Sequence, residues 1–127
     1  MEIRKSFRFE AAHRLPNVHP LHKCSRLHGH SYEVTVVLSG PVDPVYGWVV
    51  DFGEVTKAWQ PLHEVLDHYY LNEVEGLENP TSEVLARWVW RRLCHVLPLL
   101  SEVCVSEPCT SKAVYRGEDE AAPPAVT

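Results

Sequence analysis

No stretch of the 127-residue chain reaches the roughly 18 consecutive apolar residues that a membrane span requires. Met1 leads directly into alternating sequence, not into the charged-then-apolar leader that marks export. A soluble chain in the cytoplasm, with no membrane partner, is the expectation. Positive charge is scarce too: 12 Lys and Arg face 17 Asp and Glu, for a formal charge of −5. General nucleic-acid binding draws on excess Lys and Arg, so no nucleic-acid partner is expected. The four cysteines (Cys24, Cys94, Cys104, Cys109) lack the regular spacing of a disulfide framework, which favours free thiols over two bridges. What remains is 45% apolar, free of internal repeats, and of a length that suits one domain with its own core.

Periodicity supplies the elements. Ile3, Phe7, Phe9 and Ala11 share one parity while Arg4, Ser6, Arg8 and Glu10 take the other, which predicts a half-buried strand whose apolar parity His13 continues. From His28 to Leu38 the even positions (His28, His30, Tyr32, Val34, Val36, Leu38) repeat the pattern on a second strand. Pro41, Pro44 and Gly47 make a turn, and Trp48 to Phe52 read as a short extended piece before a helix. Val55, Ala58, Trp59, Leu62, Val65 and Leu66 form one helical face, with Pro61 expected to start or kink a turn. A second helix follows Pro80, capped by Thr81 or Ser82 and stopped by Pro98; its buried face is Val84, Leu85, Trp88, Val89, Leu93, Val96 and Leu97. Val103, Val105 and Glu107 alternate on a third strand, and residues 112–116 suggest a fourth. The domain is expected to fill residues 1–117, leaving 118–127 as a mobile tail too poor in apolar bulk to offset its ordering entropy.

Side chains two apart on a strand point the same way, so His28 and His30 project together on the core parity. If the first two strands pair, His13 joins them. Three neutral imidazoles suit zinc, with a fourth position left for water or substrate. Cys24 fits either of two roles on spacing alone: a fourth ligand closing a structural site, or a thiolate standing off an open one. The Asp67-His68 pair offers a carboxylate to orient an imidazole, although neighbours in sequence need a turn to cooperate. Glu107, on the parity of Val103 and Val105, should be a largely buried carboxylate in need of a partner. The loop from Arg14 to Leu27 carries Arg14, His19, His22, Lys23 and Arg26 and no acidic residue, so a phosphorylated ligand would be drawn there.

"FEAAHRLP", "KCSRLHGHSYEV", "GWVVDFGEV", "LDHYYLN", "GLENPTSEVLARWVW" and "SEPCTSKAVYRGE" together resemble the 6-pyruvoyl-tetrahydropterin synthase family. Within it, they are most similar to the bacterial members that make 6-carboxy-5,6,7,8-tetrahydropterin for queuosine biosynthesis. The resemblance implies an α+β tunnelling fold: a four-stranded antiparallel sheet, two helices inserted between strands 2 and 3 and packed on one face, and a homohexamer built as a dimer of trimers. It implies Zn2+ on His13, His28 and His30, Cys24 as catalytic base, Asp67 and His68 as a relay, and Glu107 as the anchor of a pterin triphosphate substrate. Lys23 and Arg26 are the substrate-binding candidates of the basic loop. One departure stands out, since the family has Glu-Thr where this chain has Glu107-Pro108, and proline offers no amide hydrogen. Two other readings remain: a 6-pyruvoyl-tetrahydropterin synthase that keeps the three-carbon side chain, and a non-catalytic zinc-stabilised binding protein with Cys24 on the metal.

Overall fold

The computed structural model describes residues 1–107 and 110–120. Its elements in chain order are β1 (Glu2–His13), β2 (His28–Ser39), α1 (Phe52–Leu66), α2 (Ser82–Leu93), β3 (Leu100–Ser106) and β4 (Lys112–Tyr115), with 3-10 turns at Lys23–Ser25 and Leu71–Glu73. The strands form one antiparallel sheet in the order β1-β2-β3-β4, and both helices lie in the β2–β3 connection. α1 packs against β1, and α2 against β3 and β4.

The period-two pattern explains why the sheet has one dry face. Phe9, Tyr32, Val34, Val36, Val103 and Val105 are buried beneath the helices, where they meet Val55, Trp59, Leu62 and Leu66 of α1 and Leu85, Trp88, Val89 and Leu93 of α2. Phe7 stacks on Trp59, and Phe9 on Tyr32, each with ring centroids 5.0 Å apart. Burying each such side chain contributes about 1.5–3 kcal/mol. The opposite face is polar, with Ser6 bonded to Thr35 and Arg8 to Glu33 across the β1–β2 pair.

Two local expectations are corrected: the extended piece before the first helix and the burial of Val65 and Val96. Residues 48–50 form a bend, not an extended piece, because the preceding turn takes up their backbone: Asp43 N–H donates to the Trp48 carbonyl at 2.7 Å and Gly47 adopts φ 77°. α1 runs through Pro61, since burial of Leu62 and Leu66 holds its last turn despite the lost donor. Val65 and Val96 are exposed rather than buried. Val65 flanks a groove between the helices, and Val96 follows the end of α2 at Leu93, where helical periodicity no longer sets its direction. At the other end of that helix Thr81 is the cap, its hydroxyl accepting from Val84 N–H at 3.1 Å. Of residues 118–127 the described part is 118–120, where Asp119 pairs with Arg87, and Glu120 with Arg91. Residues 121–127, and Pro108 with Cys109, lie outside the described residues.

Leu85→Ala, at a fully buried position of α2, should lower unfolding free energy by about 2–5 kcal/mol in urea titrations. Thr81→Ala should lower it by about 1 kcal/mol through the lost cap.

Candidate metal centre and active site

The β1–β2 register sets His13 directly opposite His28 and Ala11 opposite His30. The three rings therefore meet at the end of the pair, on the core face. Ring centroids are 4.6 Å apart for His13–His28, 4.9 Å for His13–His30 and 4.7 Å for His28–His30, each pair near perpendicular. One donor nitrogen from each lies within 4.8 Å of the others, so the group can hold a metal ion. Cys24 does not enter this group.

Two backbone carbonyls decide which nitrogens face inward. His13 Nδ1–H donates to Pro80 O at 2.9 Å, and His28 Nδ1–H donates to Arg26 O at 2.6 Å. A carbonyl can only accept, so both rings carry a hydrogen on Nδ1, and each ring in its neutral form leaves Nε2 as the free donor nitrogen. Those two Nε2 atoms stand 3.0 Å apart. With both rings neutral, facing lone pairs at that distance repel unless a cation lies between them. A tetrahedral ion with nitrogens at about 2.0–2.1 Å keeps its ligands about 3.3 Å apart, close to what is seen. His13 is buried, and that desolvation holds its imidazole below the ordinary value, in the neutral form that a metal needs. The buried Tyr32 hydroxyl, 2.9 Å from His13 Nδ1, gives the same N–H a second acceptor.

The other predicted residues fall into three places. Glu107 immediately follows β3, its carboxylate 17% exposed and 3.8 Å from His30 Nε2, at the rim of the cluster. Cys24 is half-buried in the Lys23–Ser25 turn, and its thiol is free. The side chains of Lys23 and Arg26 are exposed in the same loop, where Arg26 acts on the cluster through its carbonyl.

Asp67 and His68 are stitched to the free edge of β1. Glu10 N–H donates to Asp67 Oδ1 at 3.0 Å, His68 N–H to Glu10 O at 2.6 Å, and Ala12 N–H to Tyr69 O at 3.1 Å. His68 adopts φ 62°, the left-handed turn that lets adjacent side chains meet, and its Nδ1 lies 2.9 Å from Asp67 Oδ2. His63 Nε2 approaches the same carboxylate oxygen at 3.5 Å. Among the described residues no hydrogen bond or ring contact joins His68 to the three histidines or to Cys24. A groove of about 500 Å³ nevertheless has His30 and His68 among its walls, with Gly29, Ser31 and Tyr70. The roles that sequence reasoning missed run mainly through the backbone: the Pro80 and Arg26 carbonyls and the Glu10 amide, with the hydroxyl of Tyr32. Their roles have no residue-type signature, apart from Tyr32, whose parity with the histidines signals it.

The Glu10 amide, followed by His68, holds the Asp67 carboxyl below the usual carboxylate range. A depressed folded-state pKa contributes stability that is present above the unfolded value of about 3.9 and is lost as pH falls through the folded value. Carbon-13 NMR should show Asp67 titrating below that reference, and Asp67→Asn should make acid unfolding in that window shallower.

With this geometry in view, known proteins fall into line. A family profile described as 6-pyruvoyl tetrahydropterin synthase matches residues 2–118. The 6-carboxy-5,6,7,8-tetrahydropterin synthase of Synechocystis sp. is 44% identical over 119 residues, covering 89% of this chain and 91% of the relative. The human 6-pyruvoyl tetrahydrobiopterin synthase is 32% identical, with 92% of each chain covered. The solved structure of Caenorhabditis elegans 6-pyruvoyl tetrahydropterin synthase superimposes with a TM-score of 0.86 at 28% identity, over 93% of this chain and 96% of that one. The sheet and its two inserted helices are thus the expected tunnelling fold. Because the profile match runs over nearly the whole sequence and the nematode structure shares its architecture, the chain belongs to the 6-pyruvoyl tetrahydropterin synthase family.

Proposed function

We propose that the protein is a zinc-dependent 6-carboxy-5,6,7,8-tetrahydropterin synthase, a lyase acting on 7,8-dihydroneopterin triphosphate in queuosine biosynthesis. The observation that carries the metal part is the pair of Nε2 atoms on His13 and His28, 3.0 Å apart, with His30 beside them. The choice of product is supported by the 44% identical Synechocystis relative of that name. Zinc on the three imidazoles would supply Lewis acidity to the hydroxyls of the substrate side chain. Glu107 accepts two parallel N–H bonds from the amino-pyrimidinone edge, as carboxylates do from guanidinium groups. Cys24 takes the carbon-bound proton as thiolate, and His68, oriented by Asp67, moves a second proton as the double bond shifts into the ring. Triphosphate departs; one water then adds to the ring-attached side-chain carbon as its bond to the remaining two carbons breaks, which leaves the 6-carboxyl group and releases acetaldehyde. Lys23 and Arg26, exposed in a loop without acidic residues, attract the triphosphate.

The first part of β1 and the outer side of β4 are sheet edges, which supports closure with further copies into the homohexamer expected of the family. No helix of the described residues is long and apolar enough to cross a membrane, in keeping with the proposed cytoplasmic setting. A second reading, the 6-pyruvoyl product, is favoured by the human and nematode relatives.

Incubation of the zinc-loaded protein with dihydroneopterin triphosphate should yield a 6-carboxytetrahydropterin and acetaldehyde; a product retaining three side-chain carbons would select the second reading. Cys24→Ala should abolish turnover with the metal retained. In cobalt-substituted protein the absorption spectrum should lack an intense thiolate charge-transfer band, and its presence would place the sulfur on the metal and reject the base assignment.

A further inference from the structure

Cys24 sits in the middle of a single three-residue 3-10 turn, which is too short to hold itself together. Its backbone is nevertheless tied on both sides. The Cys24 carbonyl accepts from Leu15 N–H at 2.8 Å, two residues beyond His13 on the chain leaving β1. The Cys24 N–H donates to the ring of His22, whose Nδ1 is 3.0 Å away. His22 is thereby the N-cap of the turn, in extended conformation (φ −68°, ψ 137°), and Cys24 is the second residue whose amide a cap must satisfy. The next links repeat the pattern: Ser25 N–H donates to His22 O at 3.0 Å, and Ser25 Oγ–H to Pro20 O at 2.8 Å.

An imidazole in a position usually held by Ser, Thr, Asp or Asn does the same work with different chemistry. It accepts only through an unprotonated nitrogen, so neutral His22 carries its hydrogen on Nε2. His19 accepts from Leu21 N–H at 3.1 Å in the same way one turn earlier, so the loop is braced by two rings. Fixing both backbone polar groups of Cys24 fixes its Cα–Cβ direction, and one of the two anchors leads back to the strand that carries His13. The ring of His22 is exposed, so removing it should disturb this turn and little else.

We propose that His22 is a positioning residue for Cys24: its Nδ1 holds the Cys24 amide and so aims the thiol at the substrate, without touching substrate itself. The inference rests on the reading of Cys24 as base given above. A base displaced by about 1 Å loses on the order of 100-fold in rate, which sets the scale of the effect.

The test compares zinc-loaded wild type, His22→Ala, His22→Asn and Cys24→Ala. Alanine should lower kcat by about 10- to 100-fold while KM for dihydroneopterin triphosphate, zinc content and Tm stay near wild type. Asparagine, whose side-chain oxygen can accept the same N–H, should restore kcat to within about threefold. A second readout needs no turnover: alkylation of Cys24 by iodoacetamide, followed by peptide mass spectrometry, should change rate in the alanine variant and return towards wild type in the asparagine variant. Unchanged kcat and unchanged alkylation in His22→Ala, or an asparagine variant as impaired as alanine, would overturn the proposal. An active Cys24→Ala would instead refute the base assignment, while the alkylation comparison would still report whether His22 holds the thiol.

Discussion

The cross-strand pairing of His13 with His28 is the constraint on which the rest depends. Side chains on a strand alternate faces, so a slip of one residue between β1 and β2 would turn His13 away from its partners and bury Arg8 or Glu10 in place of Phe9. The aromatic core fixes this register well before any ion is considered. Phe9 stacks on Tyr32 while Phe7 stacks on Trp59, and Tyr32 in turn presents its hydroxyl to His13. Core packing and ligand alignment are thus one feature seen at two positions along the same pair of strands.

The Asp67-His68 pair depends on the same strand from its other side. Where β1 has no strand neighbour, residues 67–70 supply one, through Glu10 and Ala12 and an isolated parallel bridge between Ala12 and Tyr70. The Asp67-His68 pair, bonded to Glu10, therefore sits across β1 from Ser31 and its neighbour His30, at about two strand spacings, or about 10 Å. A left-handed backbone at His68 is a strained choice for a non-glycine residue. Here its amide bond to Glu10 and its ring contact with Asp67 offset that cost.

Much of this was legible in the sequence. Parity alone placed Phe9, Ala11 and His13 on one face with His28, His30 and Tyr32, and the helix after Pro80 declared its start through Thr81 or Ser82. Less legible was anything set by backbone oxygens and amides. Pro80 and Arg26 orient imidazoles through groups that every residue type carries, so no pattern of letters marks them. The extent of the buried helix faces failed for a related reason. Val65 and Val96 continue an apolar spacing beyond the surface that the sheet and the partner helix cover, and spacing does not reveal where that cover stops. The role of Cys24 stayed open on spacing because a thiol four residues before a histidine can lie on or off a metal; its absence from the donor cluster is a matter of three-dimensional path.

That main-chain carbonyls aim two of the three rings bears on how such a protein can diverge. A carbonyl survives every substitution at its own position, so the identity of residue 26 is free to drift under selection for what its side chain meets in solution, while its oxygen goes on steering His28. What the side chain of residue 26 meets in solution and the aim of the His28 ring are thereby separable traits, and one can be retuned across descendants without risking the other.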